Sequence, residues 1–115
     1  MAAYALAHLR HVDINEDVLT YMERIQSTLD PFDGRFLVHG ATVEVREGPF
    51  PGTVVIIEFP TIEAARAWYE SPAYQEILPM RTDNSDGSAI LVDGVAPGYD
   101  ASATAALFRS QVAAG

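Results

Sequence analysis

Residues 53–93 read TVVIIEFPTIEAARAWYESPAYQEILPMRTDNSDGSAILVD, and this stretch decides the fold of the chain. Its first seven residues are β-branched or aromatic apart from Glu58, and Pro60 follows them, which is typical of a strand. Because side chains alternate along a strand, Glu58 shares a face with Val54 and Ile56. One carboxylate therefore lies on an otherwise apolar strand surface.

Two helices in tandem and a closing strand follow this first strand. Thr61 suits the N-cap of the first helix, and Ser71 with Pro72 suits the cap and first turn of the second. The apolar residues at helical spacing are Ile62, Ala65, Trp68 and Tyr69 in the first helix and Tyr74, Ile77 and Leu78 in the second. We expect Pro79 to end or kink the second helix. Turn residues at 83–87, with Asp86-Gly87 as the strongest signal, then lead into a strand over residues 88–93.

The first half of the chain has the same order of elements. Residues 3–12 form a strand, and either Asp13, at capping-box spacing from Glu16, or Asn15 caps the next helix. The apolar spacing in that helix is Val18, Met22, Ile25 and Leu29. A second strand covers residues 35–39, and residues 42–46 continue it after a bulge at Gly40. The whole order predicts an α+β fold, a ferredoxin-like βαββαβ plait with a four-stranded antiparallel sheet.

Helices in such a plait cover only one face of the sheet, yet three strands carry apolar residues on both faces. Half a dozen uncovered Val, Ile and Leu side chains would each forgo roughly 1.5–3 kcal/mol of burial. An apolar patch of that size normally marks an interface. We therefore expect a two-fold homodimer through the open sheet face, which makes a dimeric α/β barrel.

Length and composition exclude several classes of protein. The 115 residues fit one domain, residues 1–96, followed by an Ala-rich tail, residues 97–115. The tail is either a frayed end or a short helix docked on the domain or its partner. A formal net charge of −9 opposes binding to nucleic acid. Cysteine and lysine are absent, so disulfides, thiolate metal sites and lysine Schiff bases are excluded. No signal pattern and no apolar run of about 18 residues appear, so we expect a cytoplasmic protein without a membrane segment.

Five segments together carry a family resemblance: GRFLVHG, VEVREG, VVIIEFP, ARAWYESPAYQ and LPMRTDNSDG. In this order they resemble the domain-of-unknown-function family 1330 (DUF1330), over about residues 3–94. The resemblance implies a dimeric α/β barrel and leaves the biochemical role open. The same architecture is shared with small cofactor-free monooxygenases, muconolactone-type isomerases, polyketide cyclases and haem-binding enzymes, which is an analogy of fold alone.

Glu58 and His39 are the candidate catalytic residues. A carboxylate on an apolar strand face is a candidate general base, because burial raises the pKa of a carboxyl group. The alternative, which we favour, is a structural ion pair with Arg66 or Arg81. His39 ends a strand just before Gly40, and it is either an acid–base group at a pocket mouth or, more simply, a structural histidine.

Tyr69, Tyr74, Arg81 and Asn84 are the candidate substrate-binding residues. The two tyrosines, with Trp68, can line an aromatic pocket, although core packing is the interpretation that we favour for Trp68. Tyr74 lies near a helix start and is a candidate hydroxyl donor. Arg81 and Asn84 either bind the ligand from a loop or hold the turn together.

No cofactor and no metal are expected. His8 and His11 are three residues apart on a strand, so they face opposite sides and cannot chelate one ion. Haem enzymes of this architecture typically take their axial histidine from the second half of the chain, and no histidine follows His39 here. The glycines are dispersed turn residues and form no phosphate-binding loop.

Two hypotheses follow. In the first, the protein is a cofactor-independent enzyme acting on a small aromatic or carbonyl-bearing metabolite. Glu58 or His39 moves the proton, while Tyr74 and Arg81 hold an oxyanion. In the second, it is a non-catalytic small-molecule-binding or interaction module, again dimeric.

Overall fold

The computed structural model of the chain describes residues 1–114. Its elements are β1 (Ala3–Val12), α1 (Glu16–Leu29), β2 (Arg35–Val38), β3 (Thr53–Phe59), α2 (Ile62–Glu70), α3 (Pro72–Thr82), β4 (Ser85–Asp93) and α4 (Ala101–Ala114). A 3₁₀ turn, Asp30–Phe32, follows α1. The strands form one antiparallel sheet in the order β2-β3-β1-β4. The α+β, ferredoxin-like fold predicted from the order of elements is thereby confirmed.

Side-chain caps start each of the three helices that pack on the sheet. The Asn15 side chain accepts a hydrogen bond from the Val18 amide, so Asn15 rather than Asp13 is the cap of α1. Thr61 caps α2 as predicted. Ser71 caps α3 from the position directly before Pro72, so the same short connection ends one helix and begins the next.

The second strand is shorter than predicted. It ends at Val38, after a register shift, and residues 42–46 form no strand. The physical reason lies in the backbone: Gly40 and Gly48 both have positive φ, which turns the chain away from the sheet. Because β3 begins only at Thr53, residues 42–46 have no strand to pair with.

One further boundary prediction was wrong, and half of another. The Asp86-Gly87 pair lies inside β4, not in a turn, because it pairs with the long strand β1. Helix α3 does not end at Pro79 but continues to Thr82, and a kink at Pro79 stays a prediction. Its last turn holds because the Pro79 carbonyl accepts a hydrogen bond from the Asp83 amide.

The core lies between one face of the sheet and α1, α2 and α3. Its buried members are Ala5, Tyr21, Ile25, Leu29, Ile57, Phe59, Ala65, Trp68, Tyr74 and Ile77. In α1 the buried positions include Tyr21, whereas Met22, which was predicted to face the core, is 39% exposed. Helix α1 therefore directs Tyr21, rather than Met22, into the core.

No helix covers the other side of the sheet, which we call the open face. The alternation of the strands places these side chains on it: Tyr4, Leu6, His8, Arg35, Val54, Ile56, Glu58, Ile90 and Val92. Ile90 is 53% exposed and Val92 is 44% exposed. At one end of this face the Phe50 ring stacks on the His8 imidazole at a centroid distance of 4.0 Å. The single chain thus exposes an apolar sheet surface.

Helix α4 stands away from the domain. None of its residues is buried, and its larger apolar side chains, Leu107, Phe108 and Val112, are exposed. The radius of gyration is 17.0 Å, whereas a compact chain of this length has about 13 Å. Over residues 1–114, no helix combines the length and the apolar character needed to cross a bilayer.

Candidate functional site

A cavity of about 310 Å³ lies between the helix-covered face of the sheet and α1, α2 and α3. Its lining residues are Ala5, Leu6, Ala7, Leu9, Tyr21, Ile25, Val55, Ile57, Trp68, Tyr69, Tyr74, Arg81, Ala89, Ile90 and Leu91. Among these the side chains able to hydrogen-bond are the three tyrosines, the tryptophan and one arginine. The cavity is therefore an apolar space with a few polar groups.

Small residues on the two neighbouring strands create this space. Ala7 of β1 lies directly opposite Ala89 of β4, and Ala5 is one step further along the same face. Their methyl groups leave a gap that longer side chains would fill. Aromatic side chains of α2 and α3 border the same space from the helix side.

Three aromatic rings from α2 and α3 form one wall of the cavity. The Trp68 and Tyr74 ring centroids are 4.1 Å apart, and the Tyr69 and Tyr74 centroids are 5.5 Å apart. Trp68 is also a core residue, since it is 3% exposed and its Nε1 donates a hydrogen bond to Thr28 Oγ1 at 3.0 Å. The core and pocket interpretations of Trp68 are therefore compatible.

The polar end of the cavity is formed by Tyr21, Tyr74 and Arg81. The two tyrosine hydroxyl oxygens are 2.8 Å apart and share a buried hydrogen bond. The Arg81 guanidinium carbon lies 5.8 Å from the centroid of the Tyr21 ring. Burial, together with the neighbouring Tyr74, raises the pKa of Tyr21 far above its ordinary value. Tyr21 is therefore a neutral hydroxyl at physiological pH.

Glu58 is not among the residues that border the cavity, and its side chain lies on the open face. Its Oε1 is 2.7 Å from Arg35 Nη2, so it does form an ion pair, but the partner is neither Arg66 nor Arg81. Arg35 is directly opposite Glu58 in the register of β2 and β3. The predicted partners were wrong because Arg66 and Arg81 belong to helices that pack on the other face of the sheet.

His39 and Asn84 also lie outside the cavity lining. His39 is exposed just beyond β2, and its ring centroid is 5.1 Å from that of Phe36. The Asn84 side chain donates to the Met80 carbonyl and accepts from Asn15 Nδ2, both at 2.8 Å. The structure therefore brings together Tyr69, Tyr74 and Arg81 and leaves Glu58, His39 and Asn84 apart from them; their roles stay predictions.

Tyr21 is the site residue that the sequence reasoning missed. The apolar spacing in α1 was assigned to Met22, one position further along the helix. A spacing of Val18, Tyr21, Ile25 and Thr28 fits the helical period equally well, and these together with Leu29 are the buried positions. Within residues 1–114 no group of three or more His, Asp or Glu side chains is arranged to hold a metal ion.

The sequence matches the family described as Domain of unknown function (DUF1330) over residues 2–95. The chain belongs to the DUF1330 family. This match covers the sheet and the helices that pack on it, and it ends before α4. The cavity therefore lies entirely within the part of the chain that defines DUF1330 membership.

Solved structures show the same fold at low sequence identity. RPA0582, a protein of unknown function from Rhodopseudomonas palustris, is 16% identical with a TM-score of 0.61, and 84% of each chain is covered. A dimeric ferredoxin-like protein of unknown function from Jannaschia sp. CCS1 is 14% identical with a TM-score of 0.54, over 82% of this chain and 100% of that one. SnoaB, a cofactor-independent oxygenase from Streptomyces nogalater, is 12% identical with a TM-score of 0.51, over 86% of this chain and 96% of that one. Curated proteins give no significant match.

Proposed function

We propose that this protein binds a small, flat and largely apolar organic molecule in the cavity between its sheet and helices. The observation that carries the proposal is the cavity itself, with aromatic rings on one wall and polar groups at one end. Pockets for small molecules have this composition, and their volumes begin at about 300 Å³. A compound with one or two aromatic rings matches a space at the lower end of that range.

A second candidate function is catalysis on the bound molecule without a cofactor. Tyr74 and Arg81 meet at one end of the cavity, where they would stabilise an oxyanion on an aromatic or carbonyl-bearing metabolite. SnoaB, described as a cofactor-independent oxygenase, shares the fold. Glu58 and His39 stay the proposed proton carriers, although neither borders the cavity and Glu58 lies across the sheet from it.

We also propose that the protein forms a homodimer through the open face. A two-fold contact would cover Ile90, Val92 and their neighbours, which a single chain leaves exposed. The ion pair of Arg35 and Glu58 would then lie within the interface. The Jannaschia protein of the same fold is described as dimeric, which supports this assembly.

Binding can be followed directly because Trp68 borders the cavity and is the single tryptophan of the chain. Titration with 2-naphthol is expected to change its fluorescence in a saturable manner. The variant Ala7→Phe should fill the cavity and abolish the change, whereas Ala103→Phe, the same substitution on exposed α4, should leave it intact. The proposal fails if 2-naphthol and 2-naphthoate both give no saturable signal, or if folded Ala7→Phe binds them as tightly as the wild type.

Light scattering coupled to gel filtration tests the dimer. We expect twice the chain mass of 12.5 kDa at micromolar concentration. Val92→Asp places a charge on the open face and should shift the protein toward the monomer. Leu19→Asp places the same charge on a similarly exposed apolar position of α1 and should not. A wild-type particle of 12.5 kDa would exclude the assembly.

A further inference from the structure

The polar end of the cavity contains hydrogen-bond donors in excess of acceptors. Tyr21, Tyr74 and Arg81 supply it, and the described lining includes no Asp, Glu, His, Asn or Gln side chain. A guanidinium has five N–H donors and no acceptor, and each neutral hydroxyl has one donor proton. The group that complements such an end of a cavity must be rich in acceptors.

The shared hydrogen bond of the tyrosines leaves one hydroxyl proton available. One hydroxyl donates to the other, and this bond uses one of the two protons. The second proton has no acceptor among residues 1–114, because neither hydroxyl forms another side-chain or backbone hydrogen bond to an acceptor there. Since Tyr21 is neutral, the pair presents a donor rather than a base.

Arg81 has no carboxylate within ion-pair distance in the described part of the chain. Glu76, the acidic residue of α3, has its Oε1 3.6 Å from Nη2 of Arg24 in α1. A partly buried cation at an apolar cavity loses hydration, and this costs free energy unless an anion compensates. A bound anion would provide that compensation.

Capping of α3 does not explain the guanidinium either. A cationic side chain in the last turn can satisfy free carbonyls at a helix end. Here the Leu78 carbonyl accepts from Thr82 Oγ1, the Met80 carbonyl from Asn84 Nδ2 and the Arg81 carbonyl from Ser85 Oγ. The Pro79 carbonyl accepts from the Asp83 amide. These carbonyls already have donors, so the guanidinium is not required for the cap.

We infer that the cavity selects an aromatic compound that carries one anionic oxygen group, such as an arene carboxylate, with Arg81 and the Tyr21–Tyr74 pair as its recognition residues. This inference rests on the proposed binding function and adds the charge of the ligand to it. A planar guanidinium binds a carboxylate through two parallel hydrogen bonds. The net charge of −9 repels anions in general, so the selectivity must come from these local donors.

The test compares 2-naphthoate with 2-naphthamide, a neutral compound of nearly the same shape, by Trp68 fluorescence. We expect naphthoate to bind at least about tenfold more tightly, which corresponds to about 1.4 kcal/mol. Arg81→Gln should remove this preference. Arg81→Lys should keep part of it, because lysine has the positive charge but lacks the planar guanidinium that binds a carboxylate through two hydrogen bonds. Tyr21→Phe should weaken naphthoate more than naphthamide. Arg66→Gln, at an exposed position of α2, is the matched control and should keep the preference.

The outcomes separate this inference from the function on which it rests. Equal affinity for the two compounds in the wild type would overturn the anionic class while leaving the binding function intact. No binding of either compound would overturn the inference, and no binding of 2-naphthol as well would overturn the binding function. Retention of the full preference in Arg81→Gln, in a variant whose circular dichroism and melting temperature match the wild type, would remove Arg81 from the recognition site.

Discussion

The hydroxyl oxygens of Tyr21 and Tyr74 are 2.8 Å apart in the interior of the protein, although 53 residues separate them along the chain. This hydrogen bond joins α1 to α3 at the polar end of the cavity. Tyr21 belongs to α1 and Tyr74 to α3. Each is placed by its own helical spacing, and the fold then brings the two hydroxyls together.

We predict that Tyr21→Phe lowers the free energy of unfolding by about 1–2 kcal/mol, because it leaves the Tyr74 hydroxyl buried without its partner. The double variant Tyr21→Phe/Tyr74→Phe should cost less than the sum of the two single variants, since no hydroxyl is then left unpaired. Urea denaturation of the four proteins measures this coupling. Strict additivity would show that the two hydroxyls do not interact.

Alkaline pH should destabilise the protein through Tyr21. Its pKa is raised in the folded state, first by burial and then by Tyr74, from an ordinary value of 10.0. Above that pH the unfolded chain releases the proton while the folded protein retains it, so stability falls as pH rises. Tyr21→Phe should flatten the fall in urea midpoint above pH 10, relative to the wild type, and Tyr99→Phe, at an exposed tyrosine, should not. Equal slopes in the wild type and Tyr21→Phe would contradict the assignment.

The sequence predicted the fold because the fold follows from local patterns that tertiary contacts reinforce. Thr61 and Ser71 cap their helices as their chemistry requires, and period-two and helical spacings define most of the elements. The failures occur where tertiary pairing overrides a local signal. Asp86-Gly87 is a strong turn dipeptide, but the length of β1 draws it into the sheet.

The site was harder to predict, because it depends on which faces and gaps meet in space. The small side chains of Ala7 and Ala89, which are opposite each other in the sheet, leave space for the cavity. The sequence pattern around an alanine does not indicate whether neighbouring side chains pack against it or leave a cavity there. Glu58 was noticed as a carboxylate in an apolar strand. The register of β2 and β3 is needed to show which face of the sheet Glu58 occupies. The same register places Arg35 opposite Glu58.

We predict that Glu58→Gln leaves ligand binding in the cavity unchanged and weakens the proposed dimer. Glu58 is on the opposite side of the sheet from the cavity, and its loss leaves Arg35 unpaired on the face proposed as the interface. An unpaired charge in an interface should raise the dimer dissociation constant at least about tenfold. Glu44→Gln breaks an exposed pair with Arg46 and serves as the control, since such pairs contribute little. Loss of cavity binding in Glu58→Gln, or dimer affinity equal to that of the control, would contradict this prediction.

Removal of helix α4 should not change the stability of the domain. Truncation after Gly98 removes no buried residue of the helix, so we expect the free energy of unfolding to change by less than about 0.5 kcal/mol. Helical circular dichroism should decrease, because α4 itself is lost. The alternative, in which the tail docks on the domain or its partner, predicts a loss of more than about 1 kcal/mol or a dilution-dependent melting temperature that the truncation abolishes.

Two glycines with positive φ should respond very differently to alanine. Gly40 has φ +76° and a Cβ there would meet nothing within 4 Å, so Gly40→Ala should cost only the left-handed backbone strain of about 1–2 kcal/mol. Gly52 has φ +89°, and a Cβ there would overlap the Leu9 carbonyl oxygen, where β3 begins to pair with β1. Because that oxygen belongs to the backbone, it cannot rotate away, and Gly52→Ala should cost a further 1–3 kcal/mol, roughly that of an overpacked core. Urea denaturation of both variants checks the difference, and equal destabilisation would mean that β1 and β3 approach less closely at this point than the structure shows.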